Sequence, residues 1–386
     1  MKIVLVVPFI SLEPLRGYEK IALEHFKEFS KLKYTIHVVS LESDNQRIFK
    51  VDDFTSSNSR GIAIKNRLFT RLKNLTLYFI QKKPLQFGYF RGYINSLEKQ
   101  SLLDQYDLLI GFTSRSAEFS LEITAKKKVI HLVDPLSLSY SRSISWEGGI
   151  RKWINKIEAP RLIAAEKKLL SNFDIVTLIS DNDIDDYKKL LPEISIEKFQ
   201  YGINPSNIQK VNNKINLNKM VISGNMSYSP NIKGVLWFVH SILPKLRIVY
   251  PELELFIVGA LPDKRLLSLE NDYVHITGYV RNLEEFISDS LCSICPILHD
   301  IGIQTKILEA MNSKIPVIST SIGNNGVMAI PGEQILIADT SEEFIQAIRR
   351  LKNSKKRSEL VSNAHLLIHE KFNLKSNTRK FLKRIL

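Results

Sequence analysis

Apolar positions along this chain fall into two kinds of run. Short, nearly continuous stretches at residues 2–9, 34–41, 108–112, 129–133 and 175–179 have the length of strands buried on both faces. Between the first two, residues 18–32 space their apolar side chains at helical intervals. From Met220 the alternation is more regular: strands at 220–223, 255–258, 274–277, 291–297, 317–319 and 335–338, with helices around Trp237 and Leu266 and at 283–287, 305–311 and 342–351. Strands alternating with helices predict βαβ crossovers and a parallel sheet covered on both faces. The polar, Asn- and Lys-rich stretch 204–219 has the composition of a linker. The pattern predicts an α/β chain of two doubly wound domains, 1–203 and 220–365, with a cleft between them. Ligands of such sheets bind beyond the carboxyl ends of the strands, where the loops at Gly17, Gly224 and Gly302 fall. Phe381, Leu382, Ile385 and Leu386 keep a helical spacing, so the basic C-terminus reads as a final helix.

Composition narrows the class. At 386 residues and 44% hydrophobic content there is material for two cores. The opening apolar run is closed by Pro8, is preceded only by Lys2 and lacks a small-residue cleavage site, so it reads as a first strand rather than a signal peptide. No apolar run reaches the roughly 18 residues of a spanning helix, and a cytoplasmic protein is expected. Cys292 and Cys295 lie inside a strand pattern with no second pair to complete a zinc site, which predicts core residues.

The net charge of +14 is unevenly spread. Residues 60–91 carry eight basic side chains, Arg67, Arg71, Lys73, Lys82 and Lys83 among them, and no acidic one, interleaved with aromatic and aliphatic groups. That mixture suits an anionic membrane surface, and equally a solvated helix covering the core. No nucleic-acid-binding signature accompanies the charge, and no nucleic-acid partner is expected.

The most informative segment is Gly302-Ile303-Gln304-Thr305-Lys306-Ile307-Leu308-Glu309-Ala310-Met311, which follows an apolar strand and precedes another. A glycine turn opening a helix offers unpaired backbone N–H groups to a phosphate or pyrophosphate. Lys306 adds a cation and Glu309 an acceptor for ribose hydroxyls on adjoining turns. The same spacing also fits an ordinary crossover helix with solvated Lys and Glu.

With Pro316-Val317-Ile318-Ser319-Thr320, this segment resembles the nucleotide-sugar motif of family 4 glycosyltransferases, retaining enzymes of the two-domain GT-B fold, and most nearly the bacterial sugar transferases of exopolysaccharide gene clusters. The likeness extends to Gly224-Asn225-Met226-Ser227-Tyr228-Ser229-Pro230-Asn231, Ile257-Val258-Gly259 and Thr277-Gly278-Tyr279-Val280, and more thinly to Arg16-Gly17-Tyr18-Glu19-Lys20 and His131-Leu132-Val133-Asp134. The resemblance implies two Rossmann-like domains, with the helix over 366–386 packing back on the first. It implies a UDP- or GDP-sugar donor held by Gly17, Gly224, Asn225, Lys233, Gly302, Ile303, Gln304, Thr305, Lys306 and Glu309. His131, Asp134 and Lys306 are the expected catalytic residues, a lipid-linked or oligosaccharide acceptor the partner, and the inner face of the cell membrane the place of work. Neither cofactor nor metal is expected.

The chain also departs from the family. The first of its two motif glutamates would fall at Ile301, with Asp300 one place off, and Thr305 stands where Asn is usual. The missing glutamate keeps a degenerate sugar-nucleotide-binding scaffold open, and a GT-B epimerase shares the same implied cleft. Glu158 and Glu166 also resemble family positions, but lie eight apart on one helical face and could pair with Arg161 or Lys167. Asp181, Asp183, Asp185 and Asp186 form a D-x-D pattern after a strand, a metal signal in the other major glycosyltransferase fold, yet at this spot acidic residues favour a helix start.

Overall fold

Two parallel sheets, each covered by helices, organise the chain in a computed structural model that describes residues 1–8, 17–42, 59–65, 78, 82–89, 105–205, 215–299 and 302–386. The chain divides into one unit of Met1–Tyr201 with Leu374–Leu386 and a second of Gly202–Asn373.

In the first unit the strands are β1 (Lys2–Val7), β2 (Thr35–Glu42), β3 (Ser59–Lys65), β4 (Tyr106–Phe112), β5 (Ala125–Val133), β6 (Ile175–Leu178) and β7 (Ile196–Lys198). Their order is β3-β2-β1-β4-β5-β6-β7, all neighbours parallel. The second unit holds β8 (Asn216–Ser223), β9 (Glu254–Val258), β10 (Val274–Gly278), β11 (Ser290–Cys295), β12 (Val317–Ser319) and β13 (Leu336–Ile337) in the order β10-β9-β8-β11-β12-β13. Ile3 to Val7 and Leu291 to Cys295 are buried at every position, as continuous apolar runs in a two-faced sheet should be. The order reverses between β1 and β4 and between β8 and β11, the places where doubly wound sheets open a crevice.

Three expectations are corrected. The stretch read as linker up to residue 219 contains the first half of β8, where Asn216 pairs with Ser290 of β11 through backbone and its N–H donates to the Asp289 carbonyl at 2.8 Å. Asn216 and Leu217 are exposed, while Lys219 is buried and its ammonium donates to the Phe286 carbonyl at 2.6 Å and to Asp289 at 2.7 Å, so the ladder is not marked by a run of buried apolar residues. The strand read at 335–338 shortens to β13. The C-terminal helix over 366–386 is two helices: Ser354–Glu370 belongs to the second unit, the chain then opens so that the Phe372 carbonyl accepts the Ile203 N–H at 2.8 Å, and Leu374–Ile385 joins the first. That last helix buries Leu374, Phe381, Leu382 and Ile385, and its Arg379 donates to Glu28 at 2.6 Å.

Cys292 and Cys295 are buried free thiols, each pushed up by burial. Among the described residues no helix is long and apolar enough to cross a membrane.

Candidate functional site

The site in the second unit starts where β8 ends. Gly224 donates its N–H to the Val258 carbonyl at 3.0 Å, so the loop leaves the sheet pinned to β9. A Cβ on neighbouring Gly259 would lie 1.7 Å from the Gly224 carbonyl oxygen, so only glycine allows these two strand ends to approach. Asn225 closes the loop on itself, its Oδ1 accepting from the Ser227 N–H at 2.9 Å and hydroxyl at 2.8 Å.

The helix Ser229–Trp237 follows, with Pro230 in its first turn. Its Asn231 is buried and joins two loops. Asn231 Nδ2 donates to the Asn225 carbonyl at 2.9 Å, and its Oδ1 accepts from Lys306 Nζ at 2.6 Å.

Lys306 lies in the first turn of the helix Thr305–Asn312, which follows β11 through the Gly302 loop. Gly302 sits at φ 65°, a left-handed conformation that side chains with a Cβ rarely adopt. A Cβ on Gly326 would lie 2.6 Å from the Gly302 carbonyl, so the loop rests directly on the backbone of 326. Ile303 and Gln304 are buried, and no side chain caps the helix start with a hydrogen bond.

Burial in the surrounding protein holds the Lys306 ammonium below the usual lysine range, opposed by Cys295 and by Glu309 one turn on. The side chain keeps some exposure, so this cation is poorly hydrated rather than sealed off. An arriving anion would stabilise its charged form.

The structure thus brings Gly224, Asn225 and Lys306 together through Asn231, with Glu309 one turn beyond Lys306 and Gly302, Ile303, Gln304 and Thr305 forming the entry to the same helix. Lys233 lies two positions beyond Asn231 and is partly exposed.

In the first unit the expected residues separate. His131 is buried; its Nδ1 meets the Thr177 hydroxyl at 2.5 Å and its Nε2 meets His25 Nε2 at 3.1 Å, among the rings of Phe112, Phe199 and Phe381. Both nitrogens are engaged within the core, where His131, expected to be catalytic, serves packing in this structure. Asp134 is exposed. Val133 before it adopts φ 61°, a strained conformation for a β-branched residue, where the β5–β6 register shifts. Crowding by surrounding protein and then the charge of Asp183 push the Asp134 carboxyl up to about 6, against the pull of Arg115. Because the side chain meets solvent, the shift reflects restricted hydration, not complete burial. Gly17 is the first residue of the helix Gly17–Lys31.

The first unit also holds a buried hub that sequence reasoning left open. Glu166 is fully buried and accepts from the hydroxyls of Ser114 at 2.7 Å and Tyr187 at 2.8 Å, and also from the Ser137 hydroxyl. Burial raises its carboxyl above the usual range, opposed by these donors. It pairs with neither Arg161 nor Lys167; Lys167 meets Glu193 at 3.0 Å instead. Glu158 accepts from the Leu85 N–H at 3.0 Å and lies 3.9 Å from Arg161. The D-x-D aspartates are also engaged: Arg142 donates to Asp183 at 2.6 Å and Asp186 at 2.9 Å, and Lys198 pairs with Asp181. Among the described residues no group of three or more His, Cys, Asp or Glu could hold a metal ion.

Asn231 and Gly326 in the second unit and Arg115 in the first are residues to which sequence reasoning gave no role. The available signal for Asn231 was an amide set among Ile232 and Val235 on the buried side of its helix. Arg67, Arg71, Lys73 and Asp300 lie outside the described residues, whereas Lys82 is exposed and Lys83 faces Glu118 at 3.4 Å.

Comparison with known proteins agrees with this geometry. Residues 218–354, which lie within the second unit, match the family model described as glycosyl transferases group 1. A Klebsiella pneumoniae protein described as an uncharacterized 44.6 kDa protein in the cps region is 26% identical over 300 residues, covering 73% of this chain and 69% of its own. Among solved structures, sucrose-phosphate synthase from Thermosynechococcus elongatus superposes with TM-score 0.70 at 15% identity over 100% of this chain and 98% of its own. Anabaena HepE in complex with UDP and glucose gives 0.65 at 15% over 100% and 99%. WaaG, a glycosyltransferase involved in lipopolysaccharide biosynthesis, gives 0.65 at 14% over 99% and 99%. The chain has the GT-B fold of two parallel-sheet α/β domains.

Proposed function

We propose that this chain is a retaining glycosyltransferase of family 4 that moves a hexosyl group from a UDP- or GDP-sugar to a lipid-linked or nascent cell-surface polysaccharide. The observation that carries the reading is the Asn225–Asn231–Lys306 chain beside the Gly302 turn, within the stretch that matches the group 1 model. Support comes from the relative in a cps region and from neighbours that bind UDP and glucose or serve lipopolysaccharide synthesis.

In this reading the diphosphate lies against the start of the helix Thr305–Asn312, and Glu309 accepts from the ribose hydroxyls. As the sugar departs, negative charge grows on the diphosphate and Lys306, poised by Asn231, stabilises it. Asp134 holds the transferred sugar or receives the acceptor proton. No metal is required, because a lysine and backbone N–H groups meet the phosphate charge. Work at the inner face of the membrane, with Arg67, Arg71, Lys73, Lys82 and Lys83 contributing to attachment, belongs to the same proposal.

The test is incubation with radiolabelled UDP- and GDP-sugars and lipid extract, following both nucleotide release and the anomeric configuration of the product. Transfer with retention is expected. Tight nucleotide binding without release or transfer would instead mark a degenerate binding scaffold.

A further inference from the structure

The helix Gly149–Leu170 begins with a surface that is costly to leave in water. Ile150 is 77%, Trp153 65% and Ile154 37% exposed, and at i, i+3 and i+4 they share one face. Residues 148–157 carry Arg151, Lys152 and Lys156 and no carboxylate. The segment is held in place from another face, where Asn155 Nδ2 donates to the Ser143 hydroxyl at 2.8 Å. Scattered single apolar residues need no explanation, but a tryptophan between two isoleucines, ringed by cations, does.

Tyr78 and Leu85, two described residues of the basic, aromatic stretch, meet this same helix. The Arg161 guanidinium lies over the Tyr78 ring at 4.2 Å, and Glu158 accepts from Leu85 N–H at 3.0 Å. Glu158 lies about 8 Å along the helix axis from Trp153. Exposed Lys82 lies three residues before Leu85, which is bonded to the helix that carries the apolar tip.

We infer that the first turns of this helix dock on an anionic bilayer, Ile150, Trp153 and Ile154 entering the headgroup–acyl boundary while Arg151, Lys152 and Lys156 contact the headgroups. Cations beside exposed apolar groups select a surface that is negative outside and apolar beneath. Tryptophan suits that boundary because its ring is apolar and its N–H polar. The inference specifies how the proposed transferase would reach a lipid-linked acceptor, and it stands on this surface alone.

The experiment uses the full chain with vesicles of phosphatidylcholine, alone or with about a third phosphatidylglycerol. Cosedimentation is expected with the anionic vesicles only, weakening at high salt, together with quenching by brominated acyl chains that is absent in Trp153→Phe. The double variant Ile150→Ser/Trp153→Ser should partition about tenfold more weakly with unchanged circular dichroism. Unaltered partition of that variant, or no sedimentation of the wild-type protein at low salt, would overturn the inference. So would self-association that the double variant abolishes without any vesicle binding, which assigns the face to a second copy. Nucleotide titration of the same samples separates the two readings: vesicle binding without nucleotide binding removes the transferase proposal and leaves this one.

Discussion

Asn231 and Lys306 form the contact on which the proposed donor site turns. A lysine crowded by protein keeps its charge poorly solvated, so it gains most from an anion that develops during reaction. Lys306→Ala is expected to lower kcat/KM by about two to three orders of magnitude with little change in melting temperature. Asn231→Ala should cost about tenfold, and nothing further when combined with Lys306→Ala, because the amide acts through the lysine. Asp134, pushed up to about 6, predicts transfer that rises with pH through that value and a flat profile for Asp134→Asn. The histidine pair makes a separate prediction. The Thr177 hydroxyl donates to His131 Nδ1, His131 Nε2–H to His25 Nε2, and His25 Nδ1–H to the Ile21 carbonyl, which leaves both rings neutral. Burial lowers His25 from 6.5 to about 4 and His131 well below 6.5. Stability from the neutral rings is therefore complete above 6.5 and is lost as pH falls toward about 4; His25 alone accounts for roughly 3 kcal/mol, measurable by urea unfolding at successive pH values.

At the scale of elements, the loops following β8 and β11 do the positioning. Gly302→Val would force a β-branched residue into φ 65° beneath the helix start. A loss of about 1–3 kcal/mol in stability is expected, with donor affinity weakened at least tenfold, both measurable on purified variant. The alternation of strands and helices, the Gly302 turn and the Lys306–Glu309 spacing were legible in the sequence, because each is a local pattern. What was not legible depends on contacts between distant segments. Glu166 reads equally as a family position or as the partner of Arg161 or Lys167 until Ser114, Ser137 and Tyr187 are folded around it. His131 at a strand end looks catalytic until His25, from another helix, takes its second nitrogen. Asn216 looks like linker because its strand pairing uses backbone alone.

At the scale of the molecule, the C-terminus belongs to the first unit although it follows the second in sequence. Phe381 lies against His131 at 4.9 Å between ring centroids, so the last helix completes the core around the histidine pair. Ending the chain after Asn373 should destabilise the first unit by at least about 3 kcal/mol while nucleotide affinity of the second persists; calorimetric unfolding would show one transition lowered and the other kept. The central claim, that the second unit grips a nucleoside diphosphate through Lys306 and Glu309, is tested most directly by isothermal titration of UDP and GDP into the wild-type protein, Lys306→Ala and Glu309→Ala. Saturable binding of one nucleotide, weakened at least tenfold in each variant, is the expected result. Equal affinity in all three proteins, or no binding of either nucleotide to the wild type, would contradict it.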